Sequence, residues 1–305
     1  MLLAPVLFMF FSTMAEAREA QIVVGFQYSD ARDFSEGLAA VKSADLWGYI
    51  DATGKETILP AWKAPEVGQF SEGFAFVGNS FIDTIGAAAF DGHTFDRARP
   101  FSDGLAAVQS GGQWGFIDTA GRFAILPIYE DAGSFSDGLA PVKRGGLWGF
   151  IDRAGRLLIT PRYTRAGIFS ADGITSSRAP ESQSRAAVEY DGKIGYIDKT
   201  GRFAVLPKYD EGEEFHNALA PVRGSRSRGD WGYIDTAGRE VIPRQFHGAG
   251  MFSEGLAPVA TDARWGYIDT RGKIVLEPFY DYARPFSEGL AAVERDGKWG
   301  YIMIK

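Results

Sequence analysis

The chain has no cysteine, so disulfides, thiolate metal sites and cysteine nucleophiles are excluded together. It has three histidines, His93, His216 and His247, too scattered in sequence to spell a metal site or a catalytic triad. It lacks a basic excess: the formal net charge is −7, which argues against a nucleic-acid partner, since such surfaces carry a basic face. No G-x-S-x-G, H-E-x-x-H or phosphate loop is present. No segment after the first seventeen residues approaches the roughly eighteen apolar residues of a membrane span. These absences predict no cofactor, no metal, no catalytic residue and no transmembrane segment in the mature chain.

What is there begins with "LLAPVLFMFF", a short apolar run followed by "STMAEA", in which Ala15 and Ala17 have the small-residue spacing of a signal-peptidase site. The pattern predicts a signal peptide over 1–17 and a mature domain over 18–305, exported to the periplasm or beyond the cell. With 305 residues and 45% hydrophobic composition, the mature chain is long enough to be held by its core.

Internal repetition dominates the rest. The aromatic that opens a "YID" or "FID" triplet recurs at Tyr49, Phe81, Phe116, Phe150, Tyr196, Tyr233, Tyr267 and Tyr301, with spacings of 32, 35, 34, 46, 37, 34 and 34. The phenylalanine of "FSEG" keeps the same beat at Phe34, Phe70, Phe101, Phe135, Phe169, Phe215, Phe252 and Phe286. A Trp-Gly pair precedes the triplet at Trp47, Trp114, Trp148, Trp231, Trp265 and Trp299, whereas unit five has Ile194 there and unit two reads as having lost the hairpin that would carry it.

The unit, approximately "VIxPxYDxAxxFSEGLAxVxxDGxWGYIDxTGK", resembles the bacterial WG-repeat family, also called KWG repeats, over essentially the whole mature chain. The resemblance implies a β-rich repeat domain, often exported, with no single associated chemistry.

Each unit reads as a three-stranded meander, with a further short strand in the connector. Asp296-Gly297, Asp191-Gly192, Gly111-Gly112 and Gly145-Gly146 suit the first tight hairpin turn. Asp51, Asp83, Asp118, Asp152, Asp198, Asp235 and Asp269 each precede a glycine by three residues, the pattern of a type I turn rather than of a calcium loop, which needs several oxygen ligands close together. Third-strand runs such as "ETILP" and "FAILP" end in a proline (Pro60, Pro127, Pro207, Pro243, Pro278), read as closing the strand because proline cannot donate to a ladder. Constraint on both faces of the strands predicts packing on both faces. The fold expected is all-β: eight tandem units of about 34 residues stacked as a propeller-like ring or, alternatively, an open superhelical β-repeat array. The chain starts in the phase of a third strand and stops after a second, an offset that lets the first strand complete the last unit and close a ring.

Tryptophan at a fixed point of each unit suits stacking on a sugar or peptide. Its sameness favours a seam between units, with the adjacent glycine admitting the next sheet closely. Individuality lies in the departures. Unit five carries "ITSSRAPESQSR" at 174–185 and unit six "RGSRSRGD" at 223–230, so that Arg178, Arg185, Arg223, Arg226 and Arg228 make a candidate basic patch for an acidic partner or anionic glycan. The function expected is an exported, non-catalytic binding or scaffolding module for an envelope or secreted protein, or a glycan, acting as a monomer. The alternatives are a glycan-processing enzyme with an acidic site in a central channel or groove, and a purely structural surface protein.

Overall fold

The computed structural model describes residues 19–63, 67–170, 184–224 and 230–305; the expected signal peptide and most of the 174–185 insertion lie outside them. Strand β1 (Ala20–Tyr28) is followed by β2 (Asp30–Ala31), β3 (Leu38–Ser43), β4 (Leu46–Asp51) and β5 (Glu56–Trp62), and β2 to β5 form one antiparallel sheet in sequence order. Six further sheets have four strands, and unit two has two, β6 (Phe74–Val77) and β7 (Ser80–Asp83). Each four-stranded sheet thus adds to the meander the short strand expected in the connector, two residues long except in unit five, where it spans Arg165–Ser170.

Ring closure is explicit. β1 pairs antiparallel with the last strand, Lys298–Ile304, with Gln21 opposite Met303 and Ile22 opposite Ile302. The first strand therefore supplies the fourth strand of the final sheet and covers what would be an open edge. The open superhelical array is excluded by this pairing.

The two landmark aromatics meet across every seam. Tyr49 lies against Phe70 of the next unit, Phe81 against Phe101, Phe116 against Phe135, Phe150 against Phe169, Tyr196 against Phe215, Tyr233 against Phe252, Tyr267 against Phe286, and Tyr301 against Phe34. Ring centroids are 4.8 to 5.2 Å apart, the tilted geometry in which an aromatic pair adds roughly 0.5 to 1.5 kcal/mol beyond its burial. The last pair joins unit eight to unit one, so eight seams make one circle. Eight separate apolar clusters, one per seam, form the core.

Where the triplet starts with tyrosine, its hydroxyl donates to a connector carbonyl of the next unit: Tyr49 to Gly68, Tyr196 to Glu213, Tyr233 to Gly250, Tyr267 to Arg284 and Tyr301 to Arg32, at 2.6 to 3.0 Å. The "SEG" turn adds a second stitch. Ser35, Ser71, Ser170 and Ser287 donate to the carbonyls of Phe70, Phe101, Phe215 and Phe34. The carboxylates of Glu36, Glu72, Asp103, Glu254 and Glu288 accept the N–H of Gly73, Gly104, Gly138, Gly289 and Gly37 in the following unit.

The structure departs from the sequence expectations at three points. The Trp-Gly glycine admits its own third strand rather than the next sheet: a methyl group on Gly149 would lie 2.4 Å from the carbonyl oxygen of Ile159, and one on Gly48 2.7 Å from that of Ile58. The cause is a register shift between Trp47 and Tyr49 where β4 meets β5. The proline does not end the strand either, because Pro60 lies inside β5 at that irregularity, where no ladder donor is required. Unit two keeps its first hairpin, with Val77 opposite Ser80. What it has lost is a regular outer strand, replaced by isolated bridges and a 3-10 turn at Phe90–Gly92.

The Asp-x-x-Gly turns are as expected. The Oδ1 of Asp51 accepts the N–H groups of Thr53 and Lys55, and Gly54 takes a φ of 84°. The Thr53 hydroxyl, then these N–H groups, holds the Asp51 carboxyl below its ordinary range, as the backbone N–H groups of Arg122 and Arg156 do for Asp118 and Asp152.

Candidate functional site

Most inter-unit hydrogen bonds run through the connectors, while Arg162 and Tyr163 of unit four donate instead to the Gly201 carbonyl in the turn of unit five. Since neighbouring units of a ring approach most closely at its inner circumference, the connectors are taken as its axial strands. One connector position stands out. It holds Arg32, Gly68, Arg99, Gly133, Gly167, Glu213, Gly250 and Arg284 in units one to eight. Its carbonyl is the acceptor for the seam tyrosine wherever that hydroxyl exists, so its backbone is fixed while its side chain is left to vary.

The variation sorts by charge. Arginines occupy units eight, one and three, while the acid Glu213 is in unit six, across the ring from unit two. Each arginine lies over its own unit's tryptophan: Arg32 over Trp47 at 5.1 Å, Arg99 over Trp114 at 5.3 Å and Arg284 over Trp299 at 5.1 Å. These are cation–π distances. They cover indole faces already buried in the seams, with Trp47 3% and Trp114 5% exposed. The tryptophans are mortar rather than an open stacking platform.

Each arginine of this arc has one ion contact among the described residues, at 3.6 to 4.0 Å. Arg32 makes one ion contact, 3.8 Å to Asp30, and Arg284 one of 4.0 Å to the same residue. Arg99 donates from Nε to the Ala132 carbonyl at 2.9 Å and lies 3.6 Å from the Asp131 carboxylate. Between Arg284 and Arg32 lies Asp33, whose carboxyl is pushed up by burial against the opposing pull of the two arginines. Its Oδ1 and the buried Nε of Arg284 make no hydrogen bond to another described residue.

Across the ring, burial raises the Glu213 carboxyl, with the Glu214 charge adding to it. Burial lowers the pKa of His216, which neighbouring Glu214 opposes. Glu214 lies over unit five: a methyl group on Gly167 would come 2.5 Å from its Oε1.

Two cavities border unit two. One, of about 310 Å³, is lined by Arg32, Val67, Gly68, Gln69, Phe76, Ala98 and Pro100. It sits where units one and three each place an arginine over a tryptophan and unit two has neither. The other, of about 590 Å³, has His93, Phe95, Ser110, Arg122 and Phe123 among its lining residues and lies beside the missing outer strand.

Of the five arginines singled out from the insertions, Arg178, Arg226 and Arg228 lie outside the described residues. Arg185 begins its strand, beside the Asp198 turn, and donates to the Ser184 carbonyl. Arg223 ends its strand opposite Trp231, over whose ring it stacks, and pairs with Glu211. The two described members are thus at opposite ends of their sheets. His247 accepts the Asp262 N–H at Nδ1, far in sequence from His93 and His216. The axial arginines escaped sequence reading because each looks like an unremarkable connector residue until ring closure puts unit eight beside unit one.

The arrangement defines a closed, propeller-like ring of β-meander repeats. The family model described as WG containing repeat matches eight successive segments, residues 18–46, 47–79, 81–114, 114–148, 148–193, 194–223, 231–263 and 265–299, and the chain belongs to that family. No curated protein matches it. Among solved structures it is similar to a eukaryotic initiation factor, 15% identical over 88% of this chain and 82% of the other, with a TM-score of 0.58. The WD40 β-propeller domain of Doa1 is 9% identical over 93% and 96%, with a TM-score of 0.44. PorZ, an essential bacterial surface component of the type-IX secretion system of Porphyromonas gingivalis, is 9% identical over 93% of this chain and 38% of its own, with a TM-score of 0.45. At such identities the likeness concerns fold alone.

Proposed function

We propose that the chain is an exported, non-catalytic binding or scaffolding module that holds a protein or glycan partner at the bacterial cell envelope, with the axial connectors as its recognition surface. Export rests on the apolar run and the Ala15/Ala17 spacing of the first seventeen residues. The observation that carries the binding reading is a contrast. Seam positions keep the same residue types around the ring, while the adjacent connector position, its backbone held in place, changes from arginine to glycine to glutamate. Repeats need sameness to stack, and a rigid scaffold presenting varied side chains is how repeat folds recognise partners.

The test is capture from the cell-envelope fraction by the mature chain, by an Arg32→Ala, Arg99→Ala, Arg284→Ala variant, and by one with Arg178, Arg185, Arg223, Arg226 and Arg228 changed to alanine. The axial reading expects a partner retained by the wild type and by the second variant but lost by the first at unchanged melting temperature. Equal retention by the axial variant, or no retained partner at all, contradicts it.

A second reading, a glycan-cleaving enzyme, is favoured by one observation: the raised carboxyl of Glu213 beside Glu214 is the kind of group a general acid needs. Release of reducing ends from envelope polysaccharide, abolished by Glu213→Gln, is its required outcome.

A further inference from the structure

We infer that the cavity between units one and three is a receptor for the carboxyl terminus of a peptide whose last side chain is apolar. The inference rests on the reading that the axial connectors bind a partner, and it names the ligand chemistry of one place among them.

The cavity exists because unit two departs from its neighbours in two ways. At the position of Arg32 and Arg99 it has Gly68, whose N–H donates to the Phe76 carbonyl at 2.7 Å. A methyl group there would lie 3.1 Å from both the N and the O of Phe76, so close packing of the connector on its sheet favours glycine. Unit two also has no Trp-Gly pair for an arginine to cover. The wall that an arginine fills in units one, three and eight is open here, leaving about 310 Å³, the lower end of the roughly 300 to 1,000 Å³ that small-ligand pockets span.

The lining divides into an apolar floor and one charge. Val67 and Phe76 are buried at 6% and 4% exposure, and Ala98 and Pro100 form the far wall. Among the described residues Arg32 is the one charged group in the lining; it is a third exposed, 3.8 Å from the Asp30 carboxylate, and the buried Asp33 carboxyl also feels its charge. Gln69 is held by its own hydrogen bond to the Asp33 carbonyl. A guanidinium with spare donors fits a carboxylate, which it binds through two parallel bonds, and the floor beside it fits an aliphatic or aromatic side chain. A peptide end carries both groups on one carbon. A sugar acid fits worse, because the nearby indoles of Trp47 and Trp114 are covered and, among the described lining residues, the one aromatic, Phe76, is buried.

The experiment measures fluorescence anisotropy of labelled pentapeptide pools ending in Leu, Val or Phe, each as free acid and as amide, with the mature chain, with Arg32→Ala and with Ala98→Leu. The expected result is binding of the free acids, with the amides at least about tenfold weaker, as loss of a charge-assisted pair implies. Arg32→Ala should bring the acids down to the level of the amides. Ala98→Leu, which narrows the cavity from its far wall and leaves the charge, should weaken both at unchanged melting temperature and keeps the test decisive if Arg32→Ala unfolds. Equal binding of acids and amides overturns the inference. So does absence of peptide binding by a wild-type chain that still retains its envelope partner, in which case axial binding stands and this ligand chemistry falls. Competition by uronic-acid oligosaccharides but not by peptides likewise overturns it.

Discussion

A methyl group added to Gly149 would lie 2.4 Å from the Ile159 carbonyl oxygen and 2.7 Å from the Pro161 nitrogen, backbone atoms that cannot rotate away. Overpacking of this kind costs about 1 to 3 kcal/mol, so Gly149→Ala should lower the melting temperature by several degrees, whereas alanine at exposed Gly25, where nothing lies within 4 Å of the added carbon, should not. Thermal denaturation of the pair checks this. Equal effects would mean that the Trp-Gly glycine has no special contact. The need for glycine was readable in the sequence, but its cause was not. Adjacency to tryptophan pointed to the neighbouring sheet, whereas the partner is the strand beyond it in the same sheet, reached through a register shift that no residue spacing reveals.

At the scale of the element, each seam joins a strand to the next unit's connector, and in five seams a tyrosine hydroxyl completes the joint. Burial raises the pKa of Tyr49, Tyr196, Tyr233, Tyr267 and Tyr301 above the ordinary value of 10.0. The folded chain therefore holds these protons more tightly than the unfolded chain. The stability they contribute is complete below pH 10 and is lost as pH rises beyond it. Melting temperature should fall steeply above about pH 10. Tyr233→Phe should cost about 0.5 to 1.5 kcal/mol at neutral pH for the lost hydrogen bond to Gly250 and make the alkaline fall shallower. A parallel fall in wild type and variant would remove the tyrosine from the account. Phe116 and Phe150 do without the hydroxyl, which fits so modest a cost. The "FSEG" segment was read as plain connector, yet Glu36 and Gly37 both have positive φ, 54° and 78°, and make a second tight hairpin turn. An acid-glycine pair is a hairpin signal, but here it was masked by the aromatic landmark beside it.

For the whole molecule, the two periodic aromatics were the most legible feature because they touch each other, so any unit that lost one would open a seam. The phase of the termini pointed toward closure for a similar reason. The polarity of the axis was hidden, since Arg284 and Arg32 stand some 250 positions apart in sequence and become neighbours only when the circle is complete. The candidate recognition surface is thus a property of closure rather than of any one repeat.

Closure itself can be read directly, because the chain has no cysteine to confuse the result. Gln21 and Met303 are opposed across the joining pair of strands, and opposed antiparallel residues have Cα atoms about 4.5 to 5.5 Å apart, within disulfide range. In a Gln21→Cys, Met303→Cys chain, mild oxidation should convert nearly all molecules to an intramolecular disulfide, detected as faster migration under non-reducing denaturing electrophoresis, with a higher melting temperature than the reduced form. Free thiols persisting under those conditions, or disulfides formed only between chains, would contradict the closed ring and the axial site that depends on it.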